Sequence, residues 1–229
     1  MNIRYEILLR GNNLSFSGGF FGFCNVVLVW ADERTPLLFD TGHFCVRPGL
    51  IKALADRGLD PGAIPHVFMS HLHFDHSHNL DLFRNAKIWV SQEELDYAAS
   101  PAANDTSIPW KIHALLADLD LHVISGDGPV LPGIEHFAVP GHTPGSQALR
   151  FVDPEGRRVV LSGDAIKYPK EVLAEGSDLV FGTKENATAS IRSICDQADV
   201  IVPGHFSQLF RRNGRWLWDE AASLELLVR

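Results

Sequence analysis

Residues 70–79 read SHLHFDHSHN and place four histidines and an aspartate within ten positions. His71, His73 and Asp75 follow one another at a spacing of two, which puts side chains on the same face of an extended segment. His76 breaks this alternation, as a residue at the turn into a helix would. One short segment can therefore present metal ligands in two directions, but it is too short to complete two metal sites alone.

Further candidate ligands follow strand-like segments elsewhere in the chain. His142 stands in VPGHTPGS, Asp164 in LSGDA and His205 in VPGHF, each directly after a glycine. Glycine lets the backbone turn sharply where a strand ends. Imidazole suits zinc, iron and other transition metals, and carboxylate suits the harder ions. These positions and the histidine cluster together indicate a metal site.

The alternative explanation is that the cluster is a solvated, histidine-rich surface loop. The chain has 11 histidines, so some clustering is expected by chance. Three separate strand-end residues would then each need an explanation of their own, which favours the metal site. Four other histidines have no partner motif and are predicted to be surface or hydrogen-bonded core residues: His66, His113, His122 and His136.

Composition narrows the class of protein. The chain has 229 residues, which is enough to bury a sizeable core. Its formal net charge of −8 is unfavourable for binding the phosphate backbone of a nucleic acid. We therefore expect a small-molecule substrate rather than a nucleic acid. Three widely spaced cysteines, the absence of a secretory signal and the lack of a membrane-length apolar run favour a cytoplasmic protein without a membrane segment. Residues 1–229 are predicted to form a single domain.

Apolar runs predict strands in both halves of the chain, and amphipathic stretches between them predict helices. Helices are expected at residues 48–57, after Ser91, at residues 185–195 and from Glu220, and Ser91 with Glu94 forms a capping-box pattern. Asn-Gly at residues 213–214 predicts a hairpin, and residues 100–110 are predicted to be a surface loop. These elements predict an α/β fold with helices outside stacked sheets.

The motifs HLHFDH, PGHTPGS, SGDA and PGH, in this order, resemble the signature of the metallo-β-lactamase-fold hydrolases. The resemblance runs from LLFDTG to IVPGH and implies an αββα sandwich, with two mixed sheets flanked by helices. It also implies two metal positions at one edge of the sheets, bridged by Asp164. The first would use His71, His73 and His142. The second would use Asp75, His76 and His205.

The same resemblance implies a hydrolase that needs no serine or cysteine nucleophile. Two divalent ions, zinc first and iron or manganese as alternatives, would share a hydroxide, and Asp40 would support a ligand from behind. Asp75 and Asp164 would handle protons. Lactonases of this superfamily have a substrate-contacting tyrosine soon after the bridging aspartate, which makes Tyr168 a candidate catalytic residue. The alternative for Tyr168 is simple packing on a loop.

Several activities remain open within the superfamily. SHLHFDH resembles the N-acyl homoserine lactonases, whereas NLDLF and ADVIVPGH are similar to metallo-β-lactamase-domain proteins that include proposed nucleases. We expect hydrolysis of a small ester, lactone or thioester. The alternatives are a phosphodiesterase or nuclease, a mononuclear-iron enzyme like the persulfide dioxygenases, and a non-catalytic metal sensor. The filled ligand set favours an enzyme, and a homodimer remains open.

Two features leave their contact with the substrate undecided. Residues 17–23, SGGFFGF, offer Phe20, Phe21 and Phe23 either as an apolar flap over the site or as ordinary core packing. His78 is predicted to lie at a helix start with its ring toward solvent. The alternative is that His78 leans over the metal site and narrows the choice of substrate.

Overall fold

The computed structural model describes residues 3–32 and 34–219, and its first large sheet has six strands. In spatial order these are β1 (Arg4–Leu9), β4 (Val26–Trp30), β5 (Pro36–Phe39), β6 (His66–Phe68), β7 (Lys87–Ser91) and β8 (Asp120–Ile124). Strands β5 to β8 run parallel, and the pairs β1–β4 and β4–β5 are antiparallel. A separate hairpin is formed by β2 (Ser15–Phe16) and β3 (Gly19–Phe20).

The second large sheet has seven strands, in the spatial order β15 to β9. They are β9 (Gly128–Leu131), β10 (Ile134–Ala138), β11 (Gln147–Val152), β12 (Arg158–Gly163), β13 (Val200–Pro203), β14 (Leu209–Arg212) and β15 (Arg215–Trp218). Only β12 and β13 pair in parallel in this sheet. The sheet is therefore mixed, as is the first.

Six α-helices lie among the described residues. They are α1 (Arg47–Ala55), α2 (Phe74–Ser77), α3 (Gln92–Ala99), α4 (Ile112–Leu116), α5 (Pro169–Ala174) and α6 (Lys184–Gln197). Short 3-10 turns occur at Phe44–Val46, Pro61–Ala63 and Leu80–Leu82. None of the helices in residues 3–32 and 34–219 has the length and apolar character needed to cross a membrane.

Strands buried on both faces explain the layered architecture. In β4, Val27 and Val29 pack into the core between the sheets, whereas Val26 and Leu28 face the core that contains α1, α3 and α4. In the second sheet, residues such as Ile201 face a third core with α5 and α6. Side chains alternate between the two faces of each strand, and both faces are buried in a core. The strands are therefore almost continuously apolar. The predicted αββα sandwich is confirmed.

The sheet topology brings the candidate ligands to one edge of the sandwich. The HLHFDH segment follows β6, Asp164 follows β12 and His205 follows β13. Neighbouring parallel strands end on the same side of a sheet. In the first sheet β6 lies between the parallel strands β5 and β7, and in the second sheet β12 and β13 pair in parallel. His142 lies in the connection between β10 and β11. The same edge therefore collects residues that are up to 134 positions apart, from His71 to His205.

Several local predictions can be compared with the structure. The hairpin at residues 213–214 is confirmed, with both Asn213 and Gly214 at positive φ. The prediction that residues 100–110 form an exposed loop is wrong at Asp105, which is buried. His78 was expected at a helix start but ends α2 as its C-cap. The predicted helix from Glu220 lies outside the described residues.

Candidate metal centre

The side chains that the sequence singled out as ligands lie together and are buried. Among the described residues, four overlapping groups of three have their candidate ligand atoms within 4.8 Å of one another, and two of these groups together contain six of the seven predicted ligands. The first of these two groups contains His71, His73 and His142. The second contains Asp75, His76 and His205. We call these the three-histidine group and the aspartate–histidine group.

Asp164 lies between the two groups. Its Oδ2 is 3.4 Å from His142 Nε2, in the three-histidine group. Its Oδ1 is 3.2 Å from both His76 Nε2 and His205 Nε2, in the aspartate–histidine group. One carboxylate therefore turns an oxygen toward each group, which is the arrangement that a bridging ligand requires.

Each histidine of the cluster has one ring nitrogen held by a neighbouring oxygen, at 2.7–3.1 Å. The oxygens belong to Ser70 for His71, Asp105 for His73, Asp40 for His76, the Leu179 carbonyl for His142 and the Asn12 carbonyl for His205. Such contacts fix the tautomer and the orientation of a metal-binding imidazole. The other ring nitrogen of each histidine is left to face the cluster.

Three buried atoms at the centre have no hydrogen-bond partner among the described residues: His71 Nε2, His76 Nε2 and Asp164 Oδ1. His76 Nε2 and Asp164 Oδ1 are only 3.2 Å apart, but they are not aligned as a hydrogen bond. Buried polar atoms in native proteins are almost always partnered. Imidazole and carboxylate donors that converge without partners fit a divalent transition metal.

The electrostatics favour the protonation states that bind metal at His71, His142 and Asp164, but they favour the protonated rings of His76 and His205. Burial lowers the pKa of His142 to about 3, and burial together with nearby histidines lowers the pKa of His71 well below its usual value. Burial opposes ionisation of Asp164, but His205 and His76 outweigh it and hold the pKa of Asp164 well below normal. Burial disfavours the charged form of His205, yet Asp164 and Asp75 raise its pKa to about 10. Metal binding would therefore displace a proton from His205.

Asp40 stands behind the site, as the resemblance implied. Its backbone has φ = 58°, a left-handed conformation that is uncommon outside glycine. Its carboxylate accepts hydrogen bonds from the Ser70 backbone N–H and from Ser70 Oγ, both at 2.8 Å, and faces His76 Nδ1 at 2.7 Å. Asp40 thus fixes the entry to the HLHFDH segment and one imidazole within it.

Asp105 is a site residue that the sequence analysis missed. Its carboxylate faces His73 Nε2 at 2.9 Å and accepts hydrogen bonds from Tyr97 Oη at 2.5 Å and from the Ser107 N–H at 2.8 Å. Burial raises the pKa of Asp105, but the hydrogen bonds from His73, Tyr97 and Ser107 outweigh it and lower the pKa to about 2. The loop holds a ligand in place instead of lying free on the surface.

A cavity of about 280 Å³ opens onto the cluster. Its floor includes His73, Asp75, His142, Asp164 and His205. Its walls are formed by Asn13, Phe20, Phe74, Thr106, Ser107, Lys167 and Leu179. The walls therefore have an apolar part, with two aromatic rings and a leucine, and a polar part with one buried lysine.

The structure does not bring Tyr168 into the lining of this cavity. Tyr168 is the N-cap residue of α5, and its ring lies 4.9 Å from the ammonium nitrogen of Lys170. The preceding residue, Lys167, lines the cavity instead. Its Nζ forms an ion pair with Glu171 Oε1 at 2.8 Å and donates to Ser177 Oγ at 2.9 Å. Sequence reasoning missed Lys167 because a lone lysine beside a motif carries no pattern of its own.

His78 and the phenylalanines of residues 17–23 take different places around the cavity. Phe20 lines it, whereas Phe21 is exposed and stacks on Phe16 at 4.7 Å. The half-buried His78 ring lies 5.7 Å from the ring of Phe74, which is a cavity wall. His78 therefore packs beside that wall and is not itself part of the lining.

Comparison with known proteins supports the assignment made from the motifs. The family model described as "Metallo-beta-lactamase superfamily" matches residues 19–205. An N-acyl homoserine lactonase from a Bacillus species is 30% identical over 160 residues, which cover 68% of this chain and 61% of the lactonase. Metallo-beta-lactamase domain-containing protein 1 from Homo sapiens is 33% identical over 184 residues, which cover 75% of this chain and 58% of that protein. The match thus covers less than two thirds of each relative's length.

Solved structures share the fold over most of the chain. A quorum-quenching N-acyl homoserine lactone lactonase aligns with a TM-score of 0.70 at 23% identity, covering 90% of this chain and 93% of that chain. A dizinc quorum-quenching lactonase in complex with a product aligns with a TM-score of 0.66 at 20% identity, covering 90% of this chain and 82% of that chain. At such identities these similarities bear on the fold alone.

Proposed function

The chain belongs to the metallo-β-lactamase superfamily, and on that premise we propose that it is a metal-dependent hydrolase of a small ester, lactone or thioester. The observation that carries the proposal is the placement of Asp164 between two groups of buried ligands at the floor of a cavity. Five histidines and two aspartates form these ligands. Such a donor set fits two divalent ions, with zinc as the first candidate.

The two groups of ligands would hold different ions. The three-histidine group would hold one ion, the aspartate–histidine group would hold the other, and Asp164 would contact both. Two bound ions would lower the pKa of a water and polarise a substrate carbonyl. Asp75 and Asp164, which both line the cavity, would accept and return a proton near its floor. The outer contacts at Asp40 and Asp105 would keep the rings of His76 and His73 from turning.

The cavity walls favour a substrate with a polar and an apolar part. Phe20, Phe74 and Leu179 provide an apolar wall against which a short acyl chain could lie. Among the described residues the Lys167 ammonium bonds to Glu171 and Ser177, and because an ammonium has three donors, the third would bind an oxygen of the substrate. A volume of about 280 Å³ suits a small molecule rather than a polymer.

The test is a substrate panel on protein of measured metal content. Lactones, thioesters, a phosphodiester and a β-lactam are compared for the wild type, His73→Ala and Asp164→Asn. We expect turnover of lactone or thioester by the wild type, inhibition by chelators, and a loss of more than about 100-fold in both variants, because losing even an outer contact to a ligand typically costs 10–100-fold.

The exposed residues His113 and Asp118 provide matched controls. His113→Ala and Asp118→Asn should keep wild-type metal content and turnover. Turnover of the phosphodiester alone would favour the phosphodiesterase alternative over the ester, lactone or thioester hydrolase. Wild-type turnover in metal-checked Asp164→Asn would contradict the proposed role of this residue.

A further inference from the structure

The carboxylate of Glu94 joins the two chain segments that supply the three-histidine group. Glu94 is 1% exposed. Its Oε1 accepts a hydrogen bond from the Leu72 N–H at 2.9 Å, and its Oε2 accepts one from Thr143 Oγ1 at 2.6 Å. Leu72 lies between His71 and His73, and Thr143 directly follows His142. A single side chain therefore ties both ligand-bearing segments together.

This orientation departs from what the helix-start pattern predicts. Ser91 caps α3 as expected, since its Oγ accepts the Glu94 N–H at 3.1 Å. In a complete capping box the glutamate would turn back to the Ser91 N–H. Glu94 instead turns its carboxylate into the protein, where burial raises its pKa. Burying a carboxylate is costly unless it is well hydrogen-bonded, so both of its contacts are needed.

The start of α3 also touches the His142 segment directly. A Cβ on Gly145 would lie 2.1 Å from the Glu94 backbone nitrogen, so only glycine permits this approach. Ser91 Oγ donates to the Gly145 carbonyl at 2.6 Å. Thr143 Oγ1 is 2.7 Å from Ser146 Oγ, which keeps the loop compact. The helix start therefore sets the distance between the two segments.

The aspartate–histidine group has supports that do not involve Glu94, although Ser70 Oγ joins Asp40 to His71 of the other group. Asn25 Nδ2 donates to the carbonyls of Pro203 and Phe206, at 2.6 and 2.7 Å, on either side of His205. Asp40 faces His76. Among the described residues, the side-chain hydrogen bonds of Glu94 go to Leu72 and Thr143. Loss of these two Glu94 hydrogen bonds should therefore affect mainly the three-histidine group.

We propose that Glu94 is a positioning residue that sets the geometry of the three-histidine group through the Leu72 N–H and the Thr143 hydroxyl. The proposal rests on the proposed metal-binding function of the site. It states that Glu94 supports the three-histidine group and not the aspartate–histidine group, so that its loss weakens the binding of one ion while the other is retained. Loss of the Glu94 clamp would spread His142 from His71 and His73 and lower affinity for the ion that these three share.

The test is a metal titration of metal-free Glu94→Gln, followed by cobalt absorption spectra and by stoichiometry. Glutamine keeps an acceptor oxygen for the Leu72 N–H, but its NH₂ group only donates, so the Thr143 hydroxyl must reverse its hydrogen bond, and both bonds lose the carboxylate charge that strengthens them. We expect affinity for one of two ions to fall by about 10–100-fold while the other ion binds as in the wild type. Glu93→Gln is the matched control, because Glu93 is the exposed neighbour on the same helix and accepts from Ser125 Oγ.

Thr143→Val provides the second variant, in case Glu94→Gln does not fold. It removes one of the same hydrogen bonds with little change in volume, and it should weaken the same ion. The double variant should be non-additive, because both residues act through one contact. Folded Glu94→Gln and Thr143→Val proteins that bind two ions with wild-type affinity would overturn the proposal. A wild-type protein that binds no ion would instead contradict the proposed function.

Discussion

Gly204 shows how closely the backbone approaches the ligand cluster. It directly precedes His205 in the turn after β13. A Cβ at this position would lie 2.0 Å from Asp164 Oδ1 and 3.0 Å from the Gly163 carbonyl oxygen. Contacts this short are not found for real Cβ atoms, so a side chain here must displace Asp164 or the strand end that carries it. The position of Asp164 therefore requires a glycine at residue 204.

We therefore predict that Gly204→Ala will disrupt the bridging position. Asp164 should be pushed from between the two groups, and the metal content of purified protein should fall when measured by elemental analysis. Gly49→Ala is the control, because its nearest non-local atom would be Leu9 Cδ2 at 3.7 Å and alanine is preferred in helices by about 0.5–1 kcal/mol. Full metal content in Gly204→Ala would show that the turn can relax without cost to the site.

The residues of the site differ in how far the sequence could predict them. Candidate ligands stand in motifs whose spacing and glycines carry a local signal, and the structure brings all seven together. Asp105 and Lys167 carry no such signal, and the capping-box signal at Glu94 predicts a different contact from those that its carboxylate makes. Asp105 lies among residues typical of loops, and its importance comes from a partner 32 positions away, His73. Long-range contacts of this kind need the fold before they can be recognised.

At the scale of elements, the β2–β3 hairpin contributes Phe20 to the wall of the cavity. The Phe20 ring lies 6.5 Å from that of Phe74 and 6.4 Å from that of His205. The rings of Phe16 and Phe21 stack on each other on the exposed side. The hairpin contains only two residues in each strand, and backbone hydrogen bonds from Asn12 to Phe23 and from Phe21 to Leu14 extend it.

We predict that Phe20→Ala will weaken binding of substrates with an apolar chain. KM should rise more for a long-chain than for a short-chain substrate, with kcat nearly unchanged, because a contact to the apolar chain contributes equally to the bound substrate and to the transition state. Phe44→Ala is a suitable control, since Phe44 is 61% exposed and is not among the residues that line the cavity. An equal rise in KM for both chain lengths would count against an apolar subsite at Phe20.

Strands could be predicted from the sequence more completely than helices. Continuous apolar runs give the buried strands of both sheets, because these strands face a core on each side. The helices α4 and α5 were missed, since five and six residues are too few to show a 3.6-residue period. The strands β2 and β3 contain two residues each, which is too few to show the two-residue alternation of a strand.

At the scale of the whole molecule, the buried cluster should couple metal binding to stability. Asp40, Asp75, Asp105 and Asp164 are all buried near the same edge. Ions that bind the folded chain and not the unfolded chain stabilise it, by about 2.7 kcal/mol when the free ion exceeds its dissociation constant 100-fold. We predict that a chelator lowers the melting temperature and that zinc restores it, as measured by calorimetry. An unchanged melting temperature after verified metal removal would contradict this coupling.

The central claim is that the fold brings two ligand groups to one edge of the sandwich and joins them through Asp164. Anomalous diffraction at the zinc edge, from crystals of zinc-loaded protein, measures this most directly. The account predicts two peaks, one within the three-histidine group and one within the aspartate–histidine group, with Asp164 contacting both ions. A single peak at saturating zinc, or peaks away from Asp164, would contradict it.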